Sequence, residues 1–143
     1  MTIKILLTIG IIFYGLAVPI MEINSSHVFD PKWVPHARLH EVWQLITNSS
    51  IGAYSLWLVW ARGKVLLPGL LGMFVTVGFL IAYAIRGTYG GSMVLSDGSE
   101  KTVAGINLGL AGFGLAVILT MVALIIEKIR KWPEPSSLGP EEG

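Results

Sequence analysis

Cysteine is absent from the 143 residues, which excludes disulfide staples, thiolate nucleophiles and Cys-ligated zinc. Charge is scarce as well: Asp, Glu, Lys and Arg make up 13% of the chain, against about 25% in an ordinary globular domain. So little charge cannot solvate a globular surface. The 10 basic residues nearly balance the 9 acidic ones and form no stripe, so a nucleic-acid partner is not expected. Histidine is limited to His27, His36 and His40, too few for the multi-histidine boxes of membrane di-iron enzymes. No soluble cofactor motif is present, so the identity of any cofactor stays open.

What the chain does have is apolar length. Hydrophobic residues make up 53% and the mean hydropathy is +0.69. Four stretches, about 5–21, 36–61, 65–85 and 103–126, approach or exceed the ~20 helical residues that a bilayer crossing requires. They predict an all-α integral membrane protein, a four-transmembrane-helix bundle over residues 1–132, followed by a disordered cytoplasmic tail at 133–143 that is rich in Pro, Ser and Glu. The first stretch follows Lys4 as a signal peptide would, but it lacks a small-x-small cleavage site and Glu22 follows directly, so retention is expected.

Orientation follows from the lysines and arginines. With the N-terminus inside, Lys4, Arg62, Lys64, Lys128, Arg130 and Lys131 fall in the cytoplasm, and Lys32, Arg38, Arg86 and Lys101 fall outside. Six against four favours both termini inside, in a plasma or bacterial inner membrane. Only Arg62-Gly63-Lys64 separates the second and third stretches, which makes them antiparallel neighbours. The two outer connections are longer, and both are expected to be structured. The first contains Asn24-Ser25-Ser26 and Asp30-Pro31, with Pro35 suited to the first helical position. The second suggests a short hairpin near 91–101, turning at Asp97-Gly98.

Polar residues gather at the outer end. His36, His40, Gln44 and Asn48 recur at i, i+4, which stacks them along one helical row. Lipid penalises unpaired polar groups, so the row should look into a protein interior or a wet cavity. Glu22, His27, Glu41, Tyr83, Arg86 and Asn107 approach the same end from the other stretches. This convergence predicts a ligand site made of His36, His40, Glu41, Gln44, Asn48, Tyr83, Arg86 and Asn107. Within it, His40 and Glu22 are the candidates for acid–base chemistry, because a histidine beside a carboxylate can handle a proton. Glu41 points about 100° away from His40, which makes Glu22 the better partner.

Arg38-Leu39-His40 resembles the start of the Arg-x-His-x-Asn-x-x-Glu pattern of the small four-helix MAPEG enzymes. Val42 and Leu45 occupy its Asn and Glu positions, so that chemistry is not implied. The leading expectation is binding of, or acid–base action on, a lipid-like amphiphile of lipid, sterol or quinone type; whether the chain is an enzyme stays open. One alternative is a single metal held by His36 and His40 with His27 or Glu22. Another is an accessory subunit of a larger membrane complex. For that, Gly105, Gly109, Gly112 and Ala116 form a small-residue stripe suited to close helix packing, within the chain, in a homo-oligomer or against other subunits.

Overall fold

The computed structural model describes residues 1–132, so the tail expected at 133–143 lies outside the described residues. Four helices carry the fold: α1 (Thr2–Glu22), α2 (Pro35–Trp60), α3 (Leu66–Ala84) and α4 (Leu108–Arg130). α1, α3 and α4 are long and apolar enough to cross a membrane. Large apolar side chains such as Ile9, Leu16, Phe74, Ile118 and Ile125 cover the exterior. These are the properties of a membrane protein. α2 is the longest helix, but its first turns carry His36, Arg38, His40 and Glu41, and it falls outside the apolar class that the sequence suggested for all four.

The helices pack around a ring in the order α1, α2, α3, α4, with α4 returning to α1. α1 and α3 also touch across the middle, whereas among the described residues α2 and α4 do not meet. α1 buries Ile3, Leu7, Gly10, Ile11 and Tyr14, a helical stripe. Its turn at Phe13–Ala17 widens to a π-helix just before Pro19. Proline has no N–H to offer the carbonyl four residues back, and its ring pushes that carbonyl away, so the ladder expands there.

Three contacts weld the middle and the lower half. A Cβ built on Gly15 would lie 3.1 Å from the Cα of Gly52, so α1 and α2 meet backbone to backbone. Gly10 of α1 faces Ala116 and Thr120 of α4, and Gly69 of α3 faces Leu124 of α4. At the lower end the Trp60 indole donates to Thr8 Oγ1 at 3.0 Å. Glu127 pairs with Arg130 and Lys131 at 2.6 and 2.8 Å. These ion pairs let α4 continue past Ile126, where the apolar pattern alone ended it.

The start of α4 also differs from the expected 103. Residues Thr102–Val103 and Ile106–Asn107 form a two-stranded antiparallel ribbon. Its turn residues Ala104 and Gly105 both have positive φ, +52° and +78°, as a two-residue hairpin turn demands. The hairpin expected at 91–101 is therefore displaced: Asp97-Gly98 makes only a local turn, with Asp97 Oδ1 accepting from Ser99 N at 2.9 Å. Gly105 belongs to the ribbon rather than to the helix. Asn107 then caps α4, its Oδ1 accepting from Gly109 N and Leu110 N at 2.9 and 3.2 Å.

Candidate functional site

At the end carrying the long loops, the α2–α4 diagonal opens into a chamber of about 320 Å³. Ligand pockets generally span roughly 300–1,000 Å³, so this one suits a ring-sized or single-chain ligand. Its base is aromatic. Phe79 of α3 stacks on Phe113 of α4 with centroids 4.1 Å apart, and Phe13 of α1 meets Phe113 edge-on at 5.2 Å. Gly112 makes room for the Phe13 ring, because a Cβ there would overlap it.

The roof comes from both loops. Trp33 from the first and Met93, Val94, Leu95 and Ser96 from the second line the chamber. Lys32 Nζ ties the loops together by donating to Ser96 O at 2.9 Å. The first loop is set by its own side chains. Asn24 Oδ1 accepts from Ser26 N at 2.7 Å and Asp30 Oδ1 accepts from Lys32 N at 2.8 Å, as Asx turns do. Ser96 and the Lys32 N–H hold the buried Asp30 carboxyl below the usual carboxylate range.

The polar wall comes from α2. Glu41, Gln44 and Asn48 line the chamber at i, i+3, i+7, a descent of about 10 Å at 1.5 Å per residue. Their stripe continues downward as Gly52, Ser55 and Val59, which are buried against the other helices. Among the described residues no side-chain hydrogen bond engages Glu41, Gln44 or Asn48, which leaves their donors and acceptors for an occupant.

His36 and His40 lie elsewhere. Each i, i+4 step advances about 40° around a helix, so the row from His36 to Asn48 winds through about 120°. The structure therefore splits the predicted row. Gln44 and Asn48 face the chamber, whereas His36 and His40 sit on the exposed side with their Nε2 atoms 3.0 Å apart. The His40–Glu22 pairing is corrected accordingly. Glu22 instead meets His27, Oε2 to Nε2 at 3.0 Å, at the chamber edge. Burial, with Lys101 adding to it, pushes the His27 imidazole below its ordinary value. A neutral His27 can donate Nε2–H to Glu22 Oε2 while Nδ1 accepts from Ser26 Oγ, 2.9 Å away.

The four residues of the metal alternative thus form two separate pairs. Among the described residues, no group of three or more His, Asp or Glu side chains is placed to hold an ion. Asn107 touches the chamber, but it is engaged in capping and in donating Nδ2–H to Glu100 Oε1 at 3.0 Å. Tyr83 and Arg86 line a neighbouring cleft rather than the chamber. In the small-residue stripe, Gly109 faces Met93 and Phe79, Gly112 seats Phe13, and Ala116 is buried against α1.

Sequence reasoning missed the Phe13, Phe79 and Phe113 base and the contribution of Lys101. Only the apolar run Met93-Val94-Leu95 inside a polar loop signalled that the loop folds back on something apolar. Compared with known proteins, the chain matches no family model, no curated protein and no solved structure. The functional reading therefore rests on the chemistry of the chamber.

Proposed function

We propose that the chain is a four-helix membrane protein that binds a lipid-like amphiphile in this chamber. Its apolar part lies on the Phe79–Phe113 stack and its oxygen or nitrogen functions meet Gln44, Asn48 and Glu41. The observation that carries the reading is the unpaired ladder of Glu41, Gln44 and Asn48 above an aromatic base. Polar side chains without partners in an apolar bundle are costly unless something satisfies them. Sterol, quinone and single-chain lipid chemistries share the needed shape, an apolar body with a hydrogen-bonding end. Of the two acid–base candidates, His40 lies outside the chamber and Glu22 lines it beside His27, so we read the chamber as a binding site with that pair at its edge.

The test is native mass spectrometry after mild detergent extraction. Wild-type protein should retain a small amphiphile, and Gln44→Leu combined with Asn48→Leu should reduce it at least ~10-fold, since unpaired site groups discriminate strongly. Thermal stability should change by less than about 1 kcal/mol, because leucines near the apolar base bring no unsatisfied group. A wild-type chamber that retains no small molecule, or a double variant that retains all of it, defeats the proposal.

In the same reading all four helices span the membrane, with both termini cytoplasmic and the chamber at the outer leaflet. Reporters fused after Lys131 and inserted at Asp97 test this. The first should read as cytoplasmic and the second as external, and the reverse pattern moves the chamber to the inner leaflet.

A further inference from the structure

A second depression adjoins the chamber between α2 and α3, and it carries a cation where the chamber carries Glu22 and Glu41 beside Lys101. Its trench is apolar, running past Ile51, Phe74, Val75, Gly78 and Ala82. Gly78 and Ala82 are exposed one turn apart, and a Cβ built on Gly78 would meet nothing within 4 Å. The missing side chain therefore leaves a furrow along α3. The furrow rises to Arg86, among the described residues the only charged one lining the cleft.

Arg86 is held in place without being neutralised. Its guanidinium lies over the Tyr83 ring, 4.0 Å from the centroid, and Nη1 donates to Tyr83 O at 2.9 Å. Beside it the Tyr89 hydroxyl donates to Ala82 O at 2.8 Å, which fixes the adjoining wall. Among the described residues Arg86 has no carboxylate partner. A guanidinium has five N–H donors, and one bond to a carbonyl leaves a fork free.

We infer that this cleft is a binding site for an anionic phospholipid, with the phosphodiester on Arg86 and one acyl chain along the Gly78–Ala82 furrow. Charge complementarity selects the headgroup. A zwitterionic lipid would bring an ammonium for which the cleft supplies no carboxylate, whereas a net-negative headgroup needs only the cation present. The position suits it too: Arg86 follows α3 directly, where a span meets the headgroup layer. The inference rests on the chain spanning a membrane but not on an amphiphile in the chamber. Gln44, Asn48, Phe79 and Phe113 form the wall between the two spaces.

The experiment exchanges the full-length protein in detergent against phosphatidylglycerol or phosphatidylcholine and counts bound lipids by native mass spectrometry. Wild type should retain phosphatidylglycerol in preference to phosphatidylcholine. Arg86→Gln should weaken phosphatidylglycerol retention by ~10-fold, the scale of losing one charge-assisted fork. Gly78→Leu should weaken retention of the same lipid by filling the furrow. Arg38→Gln removes the same charge away from the cleft and should leave retention unchanged. Whatever amphiphile the chamber holds should persist in all three variants, which separates this result from the test of Gln44 and Asn48.

Equal retention of the two lipids by wild type overturns the inference, as does equal loss with Arg38→Gln. Wild type that runs as a dimer, and turns monomeric in Gly78→Leu, would assign the furrow to a second copy and also overturn it. If Arg86→Gln fails to fold, Gly78→Leu decides alone, because its side chain enters open space.

Discussion

The two halves of this bundle use the same four helices and reach opposite outcomes. In the middle and lower part, Gly15 meets Gly52, Gly10 meets Ala116 and Thr120, and Gly69 receives Leu124, so the helices close on one another. Toward the loop end the corresponding stripe of α2 carries Glu41, Gln44 and Asn48, and the α2–α4 diagonal, which the two helices bridge nowhere among the described residues, opens into a chamber. Side-chain size and polarity along a single face therefore decide where the bundle is solid and where it is hollow. Small residues permit backbone approach. Long polar residues above a base of three phenylalanines hold the space open.

The largest expected effect comes from spoiling the closed half. Gly52→Leu places a side chain against the Gly15 backbone, which has no flexible end to move aside. It should destabilise the protein by about 2–3 kcal/mol or prevent assembly of α1 on α2, as overpacking does. Gly114→Ala, where a Cβ meets nothing within 4 Å, should instead be neutral or slightly stabilising, since alanine is the better helix former. Thermal unfolding in detergent reads both. Similar melting for the two variants would erase the claimed difference between close-approach and free glycines.

The converse change, leucine at Gln44 and Asn48, should leave melting nearly intact and remove the occupant, for the reasons given above. If it lowers stability as much as Gly52→Leu, the ladder is internal glue and the upper half is not a binding chamber.

A smaller effect separates the loop roof from the bundle below. The His27 imidazole is held below its ordinary value near 6.5, first by burial and then by Lys101, with Asp30 opposing. On acidification the unfolded chain takes up the His27 proton before the folded one does. The His27 contribution to stability should therefore fall as pH drops through about 6.5 toward the lowered folded value, and level off below it. His27→Gln should flatten that part of the profile while Glu22 and Lys101 remain. Melting curves recorded from about pH 8 to about pH 5 decide it, and an unchanged profile in the variant would assign the dependence to another group.

Much of this was legible in the residues. Apolar runs located the helices, Pro35 opened α2 as expected, and the short Arg62-Gly63-Lys64 connection paired α2 with α3. Gln44 and Asn48 stood out as polar groups within the second apolar stretch. His36 and His40 were joined to them by a strict four-residue spacing, which drifts around the helix; the 3-and-4 spacing of Glu41, Gln44, Asn48, Gly52, Ser55 and Val59 follows the face that lines the chamber above and is buried below. The ribbon at 102–107 was hidden because Ala104-Gly105 is a weaker turn signal than Asp97-Gly98, and because Gly105 fitted the glycine stripe of α4. The Phe13–Phe79–Phe113 base could not be read, since it joins residues from three helices and depends on the ring that Gly112 admits.

The central claim is that the space Glu41, Gln44 and Asn48 hold open above the phenylalanine base binds a small amphiphile. An experimental density map of the protein extracted with its native lipids tests it most directly. The account predicts elongated non-protein density lying on Phe113, with its polar end within hydrogen-bonding distance of Gln44 or Asn48. A chamber closed by α2 moving onto α4, with Gln44 and Asn48 bonded to protein groups and no density between them, would contradict it.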